Sequence, residues 1–320
     1  MKMRALAAVL GLYACAVAAQ GTQAADTADY PARPITLIVG YSPGGSNDVV
    51  ARLLARQLQD SMGQPVVVEN RPSTGAIVGA VATARAKPDG YTLMIGASGP
   101  IVFNPAVYKS LPYAPLRDFT PISMVASFPL ILSVKGDSPT ADVKELAAYT
   151  SKNPDRSNYA SSASAFQLAT ELLKERTGIA AEHIPYKGSN DSAMAIASGE
   201  VTFGLLDPGP AAGAIKGGLI RGIAVSSAER MPAYPDIPTL KEQGVDLEIG
   251  FWIGLFAPAG TPEPIIERLQ RETAKAVAHS ATTEQMTELG LTPSVSTPQQ
   301  FAHRIAQETK TWTDLARQKN

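Results

Sequence analysis

The chain has 320 residues, 28 Lys and Arg against 29 Asp and Glu, a formal net charge of −1, 45% hydrophobic residues, one Cys and three His. At roughly 150 residues per domain, that length predicts two domains, each with its own core, and the near-neutral balance without basic runs argues against nucleic acid and against a polybasic membrane patch. One Cys removes a disulfide framework or a Cys-based metal site, and His183, His279 and His303 show no ligand spacing, so neither metal nor cofactor is expected.

Lys2 and Arg4 precede an apolar run over residues 5–19, with small Thr22 and Ala24 at −3 and −1 of a plausible cut near Ala25. This predicts a secretory signal peptide over residues 1–25, a periplasmic address and a mature chain without a membrane span, since the run falls short of the roughly 20 apolar residues that cross a bilayer. A rival cut places Cys15 first, as a lipoprotein anchor, but Tyr13 in Leu12-Tyr13-Ala14-Cys15 stands where a small residue is usual.

The β-rich run at residues 34–39 ends in the turn cluster 40–45, after which Val49, Val50, Leu53, Leu54 and Leu58 recur at helical spacing. Strand 65–69, a small-residue helix over 74–86 and strand 91–95 continue the alternation. A second series begins near Ser127, with strand 130–134, helix 143–152, strand 157–160 and helix 165–177. Strands near 183–185, 202–205 and 222–225 follow. A buried strand at 251–257 precedes an amphipathic helix reaching His279, and a last helix spans about 298–316. Such alternation predicts parallel strands with crossover helices, an α/β chain in two lobes.

Gly40-Tyr41-Ser42-Pro43-Gly44 matches G-x-S-x-G, the nucleophile elbow of α/β-hydrolases, with Asp207 and His279 or His303 in the right chain order for a triad. Against this, the residue after Ser42 is Pro43, which lacks the N–H that such an elbow contributes to its oxyanion hole. No phosphate-binding G-x-G-x-x-G or G-x-x-x-x-G-K-[ST] occurs. The loop instead suits a helix N-terminus that receives an anion, with Ser46 as N-cap and Gly44 and Gly45 bending the backbone, although taken alone it reads more readily as an ordinary tight βα turn. A second βα loop, Ser161-Ser162-Ala163-Ser164-Ala165, offers more small residues and hydroxyls. Two such loops without a nearby Lys or Arg suit a carboxylate held by amides and hydroxyls. The candidate ligand contacts are Tyr41, Ser42, Gly44, Gly45, Ser46, Asn47, Ser161, Ser162, Ala163, Ser164, Ala165 and Asp207. Asp207 either caps the helix after it or lines the cleft and accepts from a ligand amine or hydroxyl. Lys187 is expected to be solvated, and Phe251 and Trp252 to be core.

Over the whole mature chain these residues resemble the Bug proteins, extracytoplasmic receptors of tripartite tricarboxylate transporters. The resemblance is carried by residues 30–39, Tyr41 to Asp48 with Ala51-Arg52, Val67-Val68-Glu69-Asn70-Arg71-Pro72, Lys87-Pro88-Asp89-Gly90-Tyr91-Thr92-Leu93, His183-Ile184-Pro185-Tyr186-Lys187-Gly188, Ala224 to Ser227 with residues 235–239, and residues 255–262. It implies a two-lobed periplasmic binding protein of the type II, Venus-flytrap class, with a mixed or parallel sheet in each lobe and two crossover strands. Domain 1 would be discontinuous, residues 26–126 and 251–320, and domain 2 residues 127–250. It further implies that a ligand carboxylate is gripped between the loops at 41–47 and 161–165. Tyr41 stands where relatives commonly carry Phe, and Phe166 where a His is common, which points to a more apolar wall.

The expected function is a non-catalytic receptor, acting as a monomer, that closes over a small organic acid and delivers it to transporter membrane subunits. A periplasmic hydrolase using Ser42 and a ligand sensor for a signalling partner are the alternatives.

Overall fold

A computed structural model describes residues 29–318; the signal-peptide expectation and Cys15 lie outside the described residues. The elements below belong to the unit from Pro31 onward.

The β-branched run Ile35–Val39 forms β1, with Leu37 and Val39 wholly buried. The stripe at Val50, Leu54 and Leu58 seats α1 (Ser46–Met62) on the sheet, and Gly63 ends the helix in the left-handed conformation (φ 71°). Next come β2 (Val66–Asn70), a short 3₁₀ turn, α2 (Ile77–Ala84) and β3 (Thr92–Ala97). A π-helical turn, Gly99–Phe103, then runs into the short helices α3 (Asn104–Val107) and α4 (Pro115–Asp118). The eleven-residue β4 (Phe119–Pro129) leads into β5 (Ile131–Lys135), α5 (Val143–Lys152), β6 (Asn158–Ser161) and α6 (Ser164–Thr177). Then follow β7 (Glu182–Pro185), α7 (Ser189–Ser198), β8 (Phe203–Leu206), α8 (Pro208–Lys216) and β9 (Ile220–Val225). The chain closes with β10 (Gly250–Pro258), α9 (Glu263–Ala278), α10 (Ser280–Glu288), β11 (Thr292–Pro293) and α11 (Pro298–Gln318).

Two sheets result, in the orders β11-β4-β10-β3-β1-β2 and β7-β6-β8-β5-β9. Both are mixed. β1 is parallel to β2 and β3, and β6 to β7 and β8, whereas β10 runs antiparallel to β3 and β4, and β5 antiparallel to β8 and β9. The antiparallel members depart from the uniform alternation that periodicity alone suggested. They arise where the chain leaves one sheet and later returns to it, so that β4 and β10 lie side by side from Phe119 opposite Pro258 to Pro129 opposite Gly250.

The first sheet therefore draws its strands from both ends of the chain and the second from the middle. Ser226, buried at the junction, stitches the connecting segments: its hydroxyl accepts from Leu130 N–H (2.8 Å) and donates to the Ile249 carbonyl (2.7 Å), while Ile249 N–H donates back to the Ser226 carbonyl (2.9 Å). Trp252 and Phe251 are buried on β10, as expected of core. Trp252 meets Phe301 of α11 edge-on and donates its indole N–H to Glu308 (2.7 Å).

Candidate functional site

In α/β sheets, ligands gather beyond the carboxyl ends of parallel strands, where βα loops present helix N-termini. Here such loops from both sheets converge: those after β1 and β3 from the first, and those after β6, β7 and β8 from the second. Between them lies a cavity of about 20 Å³, lined by Tyr41, Gly45, Ser46, Asn47, Ala97, Ser98, Gly99, Phe128, Ser162, Ala163, Ala165, Phe166, Ser189 and Asp207. That volume holds about one water, so admitting an organic acid requires the walls to part.

The first loop is held by a network at its back. Asp48, on the first turn of α1, accepts from Gly44 N–H (3.0 Å), from Arg52 Nε (2.9 Å) and from Asn70 Nδ2 (2.9 Å), and the same Asn70 amide reaches the Tyr41 carbonyl (3.1 Å). Partial burial would raise the Asp48 pKa, but the donors from Arg52, Gly44 and Asn70 outweigh it and hold the carboxyl below its ordinary value. Burial, with Tyr113, Asp207 and Tyr108 adding to it, pushes the Tyr41 phenol well above its usual range, so it remains a neutral hydroxyl at the cavity wall.

Ser46 does not cap its own helix. Gly45 occupies the N-cap position in extended conformation, and the Ser46 hydroxyl instead accepts from Gly209 N–H (3.1 Å) at the start of α8. Asp207, in turn, occupies the N-cap position of α8 without bonding that helix through its side chain; its Oδ2 accepts from Ser46 N–H (3.0 Å) at the start of α1. Each helix is thus capped by a side chain from the other sheet's loop. The exchange corrects both local capping expectations, and it places Asp207 at the cavity wall. Gly209 must lack a side chain here, since a Cβ would stand 2.8 Å from the Ser46 hydroxyl.

The remaining predicted residues divide. Ser162 lines the cavity and shares a hydrogen bond with Ser189 (2.8 Å); Ala163 and Ala165 also line it. Ser42, Gly44, Ser161 and Ser164 do not. The Ser42 hydroxyl donates to Asp191 (2.9 Å) on α7, with Gly188 close enough that a Cβ there would stand 2.7 Å from Ser42 Cβ. Ser161 bonds His183 Nε2 (2.7 Å), and Ser164 donates to Asn104, which also holds the Gly75 carbonyl and the Tyr113 hydroxyl. Lys187, His279 and His303 are exposed.

Sequence reasoning missed Ala97, Ser98, Gly99, Phe128 and Ser189. Ser98-Gly99 and Gly188-Ser189 repeat the pattern of small residues after a strand that marked the first two loops, and could have been found by it. Phe166 forms the expected apolar wall together with Phe128, their rings edge to face at 6.5 Å, and both pack on Phe251 behind them. Among the lining residues there is one acidic side chain, Asp207, and no Lys, Arg or His.

A family model described as the tripartite tricarboxylate transporter family receptor matches residues 50–320. The chain belongs to this receptor family. BugT of Bordetella pertussis is 37% identical over 99% of this chain and 98% of its own length. Among solved structures, MatC of Rhodopseudomonas palustris with bound malate is 30% identical, with a TM-score of 0.85 over 90% of this chain and 100% of that one. An R. palustris protein with adipate is 33% identical, with a TM-score of 0.86 over 90% of this chain and 97% of that one. The Bug resemblance and the two-lobed periplasmic binding fold read from the sequence therefore stand.

Proposed function

We propose that this member of the receptor family is a periplasmic solute receptor that captures a small carboxylate-bearing organic acid between its lobes and delivers it to the transporter's membrane subunits. The observation that carries the reading is the meeting, around one cavity, of helix N-termini and hydroxyls from both sheets without a cationic side chain. An anion there is received by N–H groups, hydroxyls and helix dipoles. The contacts are Tyr41, Gly45, Ser46, Asn47, Ser162, Ala163, Ala165 and Asp207, with Ser98, Phe128, Phe166 and Ser189 added by the cavity wall. Ser42, Gly44, Ser161 and Ser164 act behind them, in bonds that hold the loops. The lobes divide into residues 26–126 with 251–320, and 127–250, hinged where β4 and β10 leave the first sheet. Sheet membership supports this division. The relatives holding malate and adipate support an organic acid as the class of ligand.

The Ser42 hydrolase reading gains no support. Its hydroxyl bonds a carboxylate rather than an imidazole, and Ser42 lacks the positive φ of a strained elbow.

A thermal-shift screen across mono-, di- and tricarboxylates, amino acids and aromatic acids tests the proposal on protein unfolded and refolded to strip carried ligand. A true ligand at about 100 times its Kd stabilises by about 2.7 kcal/mol. Silence across every class overturns the assignment.

A further inference from the structure

The cavity wall holds two buried oxygen acceptors that no group in the protein satisfies. Asp207 is 2% exposed; one carboxylate oxygen accepts from Ser46 N–H, while Oδ1 has no partner. Asn47, one residue further along the same helix start and 9% exposed, leaves its Oδ1 unpartnered as well. Unpaired buried acceptors are costly and rare, and a ligand that donates to them removes that cost at the moment of binding.

Charge points the same way. The wall carries the Asp207 carboxyl and no basic side chain, so a second ligand carboxylate near this end meets like charge with no counter-ion. An ammonium at the same place meets a carboxylate oxygen that lacks a donor.

We propose that Asp207, assisted by Asn47, is the specificity determinant of the cleft, and that the preferred ligand is an acid bearing an ammonium group, an amino acid rather than a plain dicarboxylate. The proposal rests on the receptor reading above and narrows it. The ligand carboxylate lies at the hydroxyl-rich loop of Ser162 and Ser189, its ammonium donates to Asp207 Oδ1 and Asn47 Oδ1, and Phe128 and Phe166 cover the carbon skeleton. A zwitterion so placed sets one positive charge against Asp207 and one negative charge against the dipole of α6.

Calorimetric titration of the refolded protein with matched pairs tests this: glutamate with glutarate, phenylalanine with 3-phenylpropanoate, and aspartate with succinate. The ammonium-bearing member of the pairs that bind is expected to bind about tenfold or more tightly than its partner. In Asp207→Asn that ratio is expected to collapse towards one. A purely structural role of Asp207 in closing the cleft would weaken both members alike and leave the ratio standing, which overturns the assignment. Equal or tighter binding of the plain acids by the unaltered protein also overturns it while leaving the receptor reading intact. Absence of binding by every member of every pair overturns the amino-acid assignment, while the receptor reading is judged separately by the thermal-shift screen.

Discussion

His183 sits half-buried on β7 with its Nε2 against the Ser161 hydroxyl, directly behind the second loop, and the Tyr159 ring lies 5.1 Å away. Burial lowers its pKa below the ordinary 6.5; Glu171 opposes the shift and Lys174 adds to it. A base depressed in the folded state binds its proton more readily when unfolded. Its contribution to stability is therefore complete above pH 6.5 and falls as pH drops through the window below that value. Denaturant unfolding followed from neutral pH down to about pH 5 is expected to lose stability with a slope of no more than one proton, and His183→Gln to flatten that slope. The window is distinct from that of Asp48, whose depressed carboxyl keeps its contribution above 3.8 and loses it only in stronger acid. An unchanged slope in His183→Gln would refute the assignment.

At the scale of elements, α1 and α8 exchange caps across the cleft, and the exchange exists only while the two loops touch. Gly209→Ala tests this, because the new methyl group meets the Ser46 hydroxyl at 2.8 Å. Alanine suits a helix better than glycine by about 1 kcal/mol, so the second lobe alone should not suffer. The expected outcome is weaker ligand binding with an undiminished melting temperature of the ligand-free protein; unaltered affinity would show that the exchange contributes nothing to closure. This pairing also marks where sequence reading stops. α5 is legible to the residue at Val143–Lys152, because its apolar spacing and the Asp142 cap are local signals. The bond between Ser46 and Asp207 joins residues 161 apart, and nothing near either one announces it. β4 escaped for a related reason: Pro121, Ser123 and Ser127 break its apolar pattern, and the cover that buries Ser123 and half-buries the other two comes from β10 and the segment around β11, remote in sequence. The loops at 41–47 and 161–165 were visible as places. Which of their hydroxyls face the cavity and which face His183, Asn104 or Asp191 depends on neighbours that only the fold supplies.

For the whole molecule, the proposed receptor role requires the cavity of about 20 Å³ to open, and the side-by-side course of β4 and β10 offers a two-stranded hinge for that motion. Small-angle scattering of stripped protein is expected to show a larger radius of gyration than the closed form, and a contraction when a stabilising acid is added. A radius that ignores such an acid would refute hinge closure.

The return of the chain through β10 has a further consequence. Because α9 and α11 pack on β4 after that return, the first described strand and the last helix both belong to the lobe of the first sheet, and the second sheet is spliced into it as a continuous insert. Whatever tethers the protein at either end therefore holds one jaw only. The other stays unencumbered, and its cavity-lining Ser162, Ser189 and Asp207 lie in one uninterrupted stretch of chain, so under the proposed receptor role a graft of that segment between relatives is expected to carry part of the ligand preference with it.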